Sequence, residues 1–487
     1  MTPVLESARN THDIAHMTPS SSICASRLAA VVALACAGAA AHAVTISVDS
    51  ADDTASTAPC NLRNAITVIN YGNAVLFPGC RDRLTGLFGD NDTVQFAPTL
   101  ANSTITLQQG QLSNYAPLSI LGSGQIIDAA NASRVMCTFA YLRLTHLTLR
   151  NGDAGASTGG GLYSNQAFVV LDHVSVIANH AGTGGGGVTI RNGSANFAYS
   201  TLSGNSSGGG HGGAGLLVTA SGVALSNCTV ADNSAACGSY CGGGIAAVNA
   251  SALTISGSTI ARNMATGTGS GIGGGLYAAE TSTAIVNSTI AGNSATGSDA
   301  VAGALLENHS SSVPARGIAL TNTTVSANSA NSASAGGAAV SLSGGALTGA
   351  KNIGRLTLAN TLLAGNAANV GGSAAVASDL VVDNGTAAAD HSLLGNSLLT
   401  TFAGNGNVFS DTPGLSALGN FGGATATMAL LAGSPAIDAG SNALAVDATS
   451  QPLLTDQRGA ARTLNGTVDI GAYEFPGDHI FRDGFGP

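Results

Sequence analysis

"STIARN" at residues 258–263 returns almost letter for letter as "STIAGN" at residues 288–293. The same phrase, loosened, stands at 174–179 ("VSVIAN"), 200–205 ("STLSGN"), 228–233 ("CTVADN"), 323–328 ("TTVSAN") and 361–366 ("TLLAGN"). Asn179, Asn205, Asn233, Asn263, Asn293, Asn328 and Asn366 thus mark repeats spaced by 26, 28, 30, 30, 35 and 38 residues. A period of this size is the signature of a solenoid, in which each unit buries its apolar face only against its neighbours. A glycine-rich opener precedes each asparagine, from "GGGLY" at Gly159 to "GGAAV" at Gly336, and "HSSSVPARG" and "LTGAKNIG" lengthen the last two units. Such insertions map to loops on one face.

Reading down the repeats gives the physics. Eight residues before each asparagine stand Leu171, Phe197, Leu225, Ile255, Ile285, Leu320 and Leu358; three before stand Val176, Leu202, Val230, Ile260, Ile290, Val325 and Leu363. Both columns are apolar throughout. Short β-branched runs bounded by Gly and Asn read as strands of four or five residues. Stacked in register, they give an all-β fold, a right-handed parallel β-helix of roughly 26–30-residue coils with an asparagine ladder. The asparagine column is expected to supply the φ > 0 residue that turns each coil. It is also expected to hydrogen-bond along the stack, because the amide carries both donors and acceptors.

Composition agrees. Only 9% of residues are charged, Trp is absent, and the formal charge is −10. An acidic chain of this kind excludes nucleic acid as a partner. Residues 1–43 read as a signal peptide: Arg27 precedes an apolar run that ends in "AHA" at 41–43, and initiation at Met17 would shorten it. The run is too short to span a bilayer, and no transmembrane segment is expected after the leader is removed. Export makes Cys60 with Cys80, and Cys237 with Cys241, the expected disulfides. Cys228 falls in a column of Ser and Thr and reads as a small buried thiol.

Three stretches carry a family resemblance. "APCNLRNAITVIN" from Ala58 resembles the CSLREA-type opening of exported β-helix proteins, with Asn61 and Asn64 where that opening has Ser and Glu. The glycine-plus-"STIxxN" units are similar to polymorphic outer-membrane-protein repeats. "HSLLGN" at His391, "LGNFGGATATMALLAGSPAIDAG" at 418–440, "TDQRGAAR" at Thr455 and "DIGAYEF" at Asp469 resemble the choice-of-anchor Q domain. The final "IFRDGF" is similar to short endings of exported bacterial proteins, which implies a sorting signal. The expected layout is leader 1–43, cap and first coils 44–158, regular coils 159–378, C-terminal coils and cap 379–475, and tail 476–487.

Candidate chemistry is sparse. "LDHVS" at Leu171 places Asp172 beside His173, and "GHG" places His211 in a glycine-rich loop. Glycosidases need paired carboxylates, and no acid between Gly159 and Ser378 shares a column with one in the adjacent coil. Asp49, Asp52, Asp53, Arg81, Asp82, Arg83, Asp90 and Asp92 form a second charge-rich stretch; Asp438, Asp456, Arg458, Asp469 and Glu474 form a third, read as a polar cap on the last coil. Asp232 and Arg262 precede the asparagine in consecutive repeats and are expected to pair across coils. No metal site, cofactor or catalytic set is assigned. The reading is an exported, non-enzymatic surface protein for adhesion or interaction at the cell envelope, with a polysaccharide or surface protein as ligand. The alternative is a polysaccharide lyase or hydrolase using the N-terminal acids.

Overall fold

The structure, a computed structural model, describes residues 43–477 apart from 55, 211, 239, 309–315, 333–346, 352–354, 372–375, 383–385 and 396–402. Each regular coil lays down short strands that pair in parallel with their counterparts one coil on. In the first regular coil these are Leu162–Asn165, Phe168–Asp172, Ser175–Ile177 and His180–Ala181. Repetition builds four long sheets, here called III, I, II and IV in that order, of 10, 13, 12 and 8 strands among the described residues, and a fifth of 3 strands, Cys241–Gly242, Ser270–Gly273 and Asp299–Ala302. The chain is a right-handed parallel β-helix. Both apolar columns point inward and are buried.

The turns differ from expectation in one respect. The ladder asparagines are not the φ > 0 residues; those are the residues just before them, among them Ala178, Asp232, Arg262 and Ala327, with Gly204, Gly292 and Gly365. Asparagine is instead fully spent on hydrogen bonds. Asn263 Oδ1 accepts from the Asn233 backbone N–H at 3.1 Å and from Asn233 Nδ2 at 2.8 Å. Asn263 Nδ2 donates to Asn293 Oδ1 and to the Val230 carbonyl, both at 2.9 Å. An amide has no capacity left after these four. The row runs from Asn179 to Asn366, whose Nδ2 meets Asp379 Oδ1 at 2.7 Å.

The glycine openers serve the same row. A Cβ on Gly187, Gly215 or Gly244 would lie 2.8–2.9 Å from the amide of Asn205, Asn233 or Asn263. Glycine and asparagine are therefore one unit: the strand can enter only where the amide leaves no room for a side chain. A second row lies five residues before each asparagine, where the Ser200 and Ser258 hydroxyls accept the backbone N–H of Val174 and Cys228 at 3.1 and 3.0 Å. Cys228 is buried there, and burial pushes its thiol up to about 11.

Both ends depart from a plain solenoid. Leu62–Tyr71 is an α-helix, α1, capped by Asn61, whose side chain accepts the Asn64 N–H, and closed by Gly72 at φ 59°. The Cys60–Cys80 disulfide ties its start to the short helix Pro78–Arg81, and Cys237–Cys241 bridges the loop that enters strand Cys241–Gly242. Of the two insertions, "LTGAKNIG" is not a loop: Leu347–Lys351 forms the sheet III strand of its coil, while the opener at Gly336 lies outside the described residues. The segment 411–477 is not merely an end cap. It runs back along the outside of sheet II, where Thr425 Oγ1 donates to the Gly257 carbonyl at 2.8 Å and Thr289 Oγ1 to Gln457 Oε1 at 2.6 Å. Thr259, Thr289 and Thr324 are buried beneath it, whereas Ser175, Thr201 and Thr229, on earlier coils of that sheet, stay partly exposed.

Candidate functional site

The N-terminal acids do not converge on a reactive centre. Asp53 receives Arg63 Nε at 2.7 Å and the Gln108 N–H at 2.8 Å, which fixes α1 to the first coils. Asp92 Oδ1 accepts the N–H groups of Val44 and Gly89, and burial raises its pKa. Asp49 pairs with Arg83, and Asp82 with its neighbour Arg81.

The C-terminal charges form a buried knot. Arg462 is wholly buried and donates to the carbonyls of Asp469 and Gly471 at 2.7 and 2.6 Å. With the Asn322 amide turned to present its oxygen, Arg462 Nε also reaches it, at 3.2 Å. Glu474 accepts the N–H groups of Leu464 and Asp469, both at 3.1 Å, and Asp456 holds Arg458 at 2.8 Å. Burial, reinforced by the neighbouring Asp469, lifts Glu474 to about 7. These carboxylates brace the backbone of the segment that clamps sheet II. Asp232 and Arg262 are likewise structural, meeting on the open surface at 2.7 and 2.8 Å.

Asp172 has more company than its repeat position suggests. Asp172 Oδ1 lies 2.7 Å from His173 Nδ1, and Asp172 Oδ2 lies 3.5 Å from Arg143 Nη2 on the preceding coil. His146, His173 and Tyr199 hold the same turn of three consecutive coils, all at positive φ, and their rings stack at 4.8 and 4.9 Å. A cleft of about 470 Å³ opens beside them, lined by Gly122–Gly124, His146, Thr148 and His173. His211 lies outside the described residues. Among those described, no three His, Cys, Asp or Glu side chains are placed to hold a metal ion.

A further site sits on sheet III. Register pairs Ser113 with Cys137 and Cys137 with Tyr163, so the coils bring Tyr115, Phe139 and Tyr163 together. Tyr115 and Phe139 stack at 5.6 Å, and Tyr163 meets Phe139 edge-on at 6.3 Å. Tyr115 is 61% exposed and Phe139 43%. Over Tyr163, at 5.2 Å, lies the Arg134 guanidinium, held by Gln111 Oε1 and the Thr158 carbonyl at 2.7 Å each. These residues, with Arg191, line a cavity of about 420 Å³. The sequence signal is a local enrichment of aromatics in a chain with only 4% of them.

No protein-family model matches the chain, and no curated protein matches it. Among solved structures, the crystal structure of pectate lyase Pel9A is similar over 88% of this chain and 96% of that one, with 13% sequence identity and a TM-score of 0.43. Among the described residues, no helix is long and apolar enough to cross a membrane.

Proposed function

We propose that the protein is an exported, non-enzymatic β-helix that displays a rigid surface at the cell envelope and binds a polysaccharide or surface protein there. The observation that carries this reading is the aromatic row of Tyr115, Phe139 and Tyr163 on sheet III, the first two exposed and the third half-buried. A contiguous exposed apolar patch, unlike a scattered side chain, marks an interaction surface, and aromatic rings with polar edges suit ligands that are part apolar and part wet. Export is supported by the leader-like residues 1–43 and by the two disulfides. The resemblance of 391–475 to the choice-of-anchor Q domain supports retention at the surface. The test is retention of mature protein, from Val44, on immobilised envelope and plant polysaccharides: Phe139→Ala and Tyr115→Ala should each weaken retention without changing the melting temperature, and unchanged retention would refute the assignment.

A second reading, a polysaccharide lyase, is favoured by one arrangement. Asp172 orients His173 as a base beside Arg143, a cation able to neutralise a uronate carboxylate. Release of unsaturated uronates that disappears in His173→Ala would establish it.

A further inference from the structure

Arg134 poses a problem of charge. Its guanidinium is half-buried, and that desolvation, the main influence on it, lowers its pKa; no Asp or Glu figures among the groups acting on it. The hydrogen bonds it makes are to neutral oxygens of Gln111, Ser157, Thr158 and Gly159, and they leave an Nη1 hydrogen unused. A half-buried charge without a counter-charge has desolvation to offset and a use for an anion. Arg191, on the rim of the same cavity, is exposed, and its side chain has no hydrogen bond or ion pair among the described residues. The chain carries 26 acidic against 16 basic residues, so two arginines lacking carboxylate partners in one cavity run against its overall charge.

The walls complete the picture. Phe139 and Tyr163 offer an apolar side to the cavity, and Ser157 and Thr158 a polar one. Across Tyr115 and Gln111, which line both, lies a second cavity of about 370 Å³ bounded by Arg63, Asn70 and Tyr71. Two adjoining cavities sharing an aromatic divider suit consecutive units of a polymer rather than one small molecule.

We infer that the cavity between Gln111, Arg134, Phe139 and Arg191 is a subsite for the carboxylate-bearing sugar of an acidic polysaccharide. Arg134, held over Tyr163, presents its free Nη1 hydrogen to the carboxylate, Arg191 closes on it from the rim, and the ring C–H face of the sugar lies on the aromatic wall. This inference rests on the surface-binding reading above and names its ligand class.

The experiment titrates mature protein with polygalacturonate, alginate and hyaluronate, and with the carboxyl-reduced form of each, by calorimetry and affinity electrophoresis. At least one acidic polymer should bind, and its reduced form should bind about tenfold more weakly or worse, the loss of one charge-assisted hydrogen bond. Arg134→Ala and Arg191→Glu should each lose a similar factor, and Arg262→Ala none. Arg191→Glu changes an exposed side chain, so its folding, checked by thermal melting, should be normal. Equal binding of the acidic and reduced polymers would overturn the carboxylate subsite while leaving polysaccharide binding in place. Acid-selective binding indifferent to both arginine changes would place the site elsewhere and overturn the inference. No binding to any polymer would overturn it together with the polysaccharide half of the proposed function.

Discussion

Gly244 packs its Cα against the side-chain amide of Asn263, so that a Cβ there would lie 2.8 Å from Asn263 Cγ and equally close to the Gly275 carbonyl. Neither neighbour can yield, because the amide is committed in both directions along the row and the Gly275 carbonyl accepts the N–H groups of Gly244 and Ile245. Gly244→Ala should therefore destabilise the protein by about 1–3 kcal/mol, the usual penalty for overpacking a rigid interior. Gly275→Ala meets the Ala304 carbonyl at 2.7 Å but clears the Asn293 amide by 3.2 Å, so with one clash in place of two it should cost less. Denaturant unfolding of the two variants ranks them; an equal or reversed order would contradict the interlock.

Asn263→Ala should cost more than either. It strands the N–H and Nδ2 of Asn233, two buried donors at about 1–3 kcal/mol each. Asn263→Asp keeps the acceptor but sets a buried carboxylate oxygen against two other acceptors, Asn293 Oδ1 and the Val230 carbonyl, so it should cost at least as much as alanine by the same measurement.

By contrast, Arg262→Ala should matter little. Its bidentate pair with Asp232 is half exposed on both sides, and such pairs contribute up to about 1 kcal/mol. A larger loss would mean that the positive φ at Arg262 responds to the substitution.

Glu474 makes stability depend on pH. Its folded pKa, about 7, stands above the ordinary 4.5, so between those values the folded state holds a proton that the unfolded state has lost. Its contribution is complete below about pH 4.5 and disappears as pH rises through about 7. Thermal melts from pH 5 to 8 should fall in wild type, and the fall should flatten in Glu474→Gln whatever that variant's absolute stability. A slope unchanged by the substitution would assign the effect to another group.

Gln457 is the bolt of the C-terminal clamp. Its Nε2 lies 2.9 Å from Thr425 Oγ1 and 3.2 Å from the Ser258 carbonyl, while its Oε1 takes the Thr289 hydroxyl. Gln457→Ala should loosen residues 411–477 by about 1–3 kcal/mol. Hydrogen exchange should rise in that segment while the ladder coils stay protected; uniform protection would show that the segment is held by other contacts.

What is legible in the sequence is whatever repeats. The inward positions recur because every coil needs the same contacts, and the Asp232–Arg262 pair follows once the columns are aligned. The turn residues are less legible: Ala178, Asp232 and Ala327 take positive φ because the stack on either side fixes the backbone, not because they prefer it. The α1 helix carries its signals, Asn61 at one end and Gly72 at the other, but it stands outside the repeat that dominates the chain. Strand Leu347–Lys351 follows its own glycine pair, Gly344 and Gly345, but the "GGAAV" at Gly336 just upstream competes for the place of opener. The clamp joins Gln457 to Thr289 across 168 residues, a contact no local pattern announces. Tyr115 and Phe139 lie in coils before the first repeat and Tyr163 in its opening strand, so their alignment emerges only from the register of sheet III.

The central claim is that this surface binds without turning its ligand over. The most direct test incubates folded mature protein with each polysaccharide it retains and follows reducing ends and unsaturated uronates alongside the bound fraction. Retention of an acidic polymer with no product above a buffer control is the predicted result. Product that accumulates with time, co-purifies with the protein and vanishes in His173→Ala would contradict it and make the Asp172–His173 cleft a lyase site.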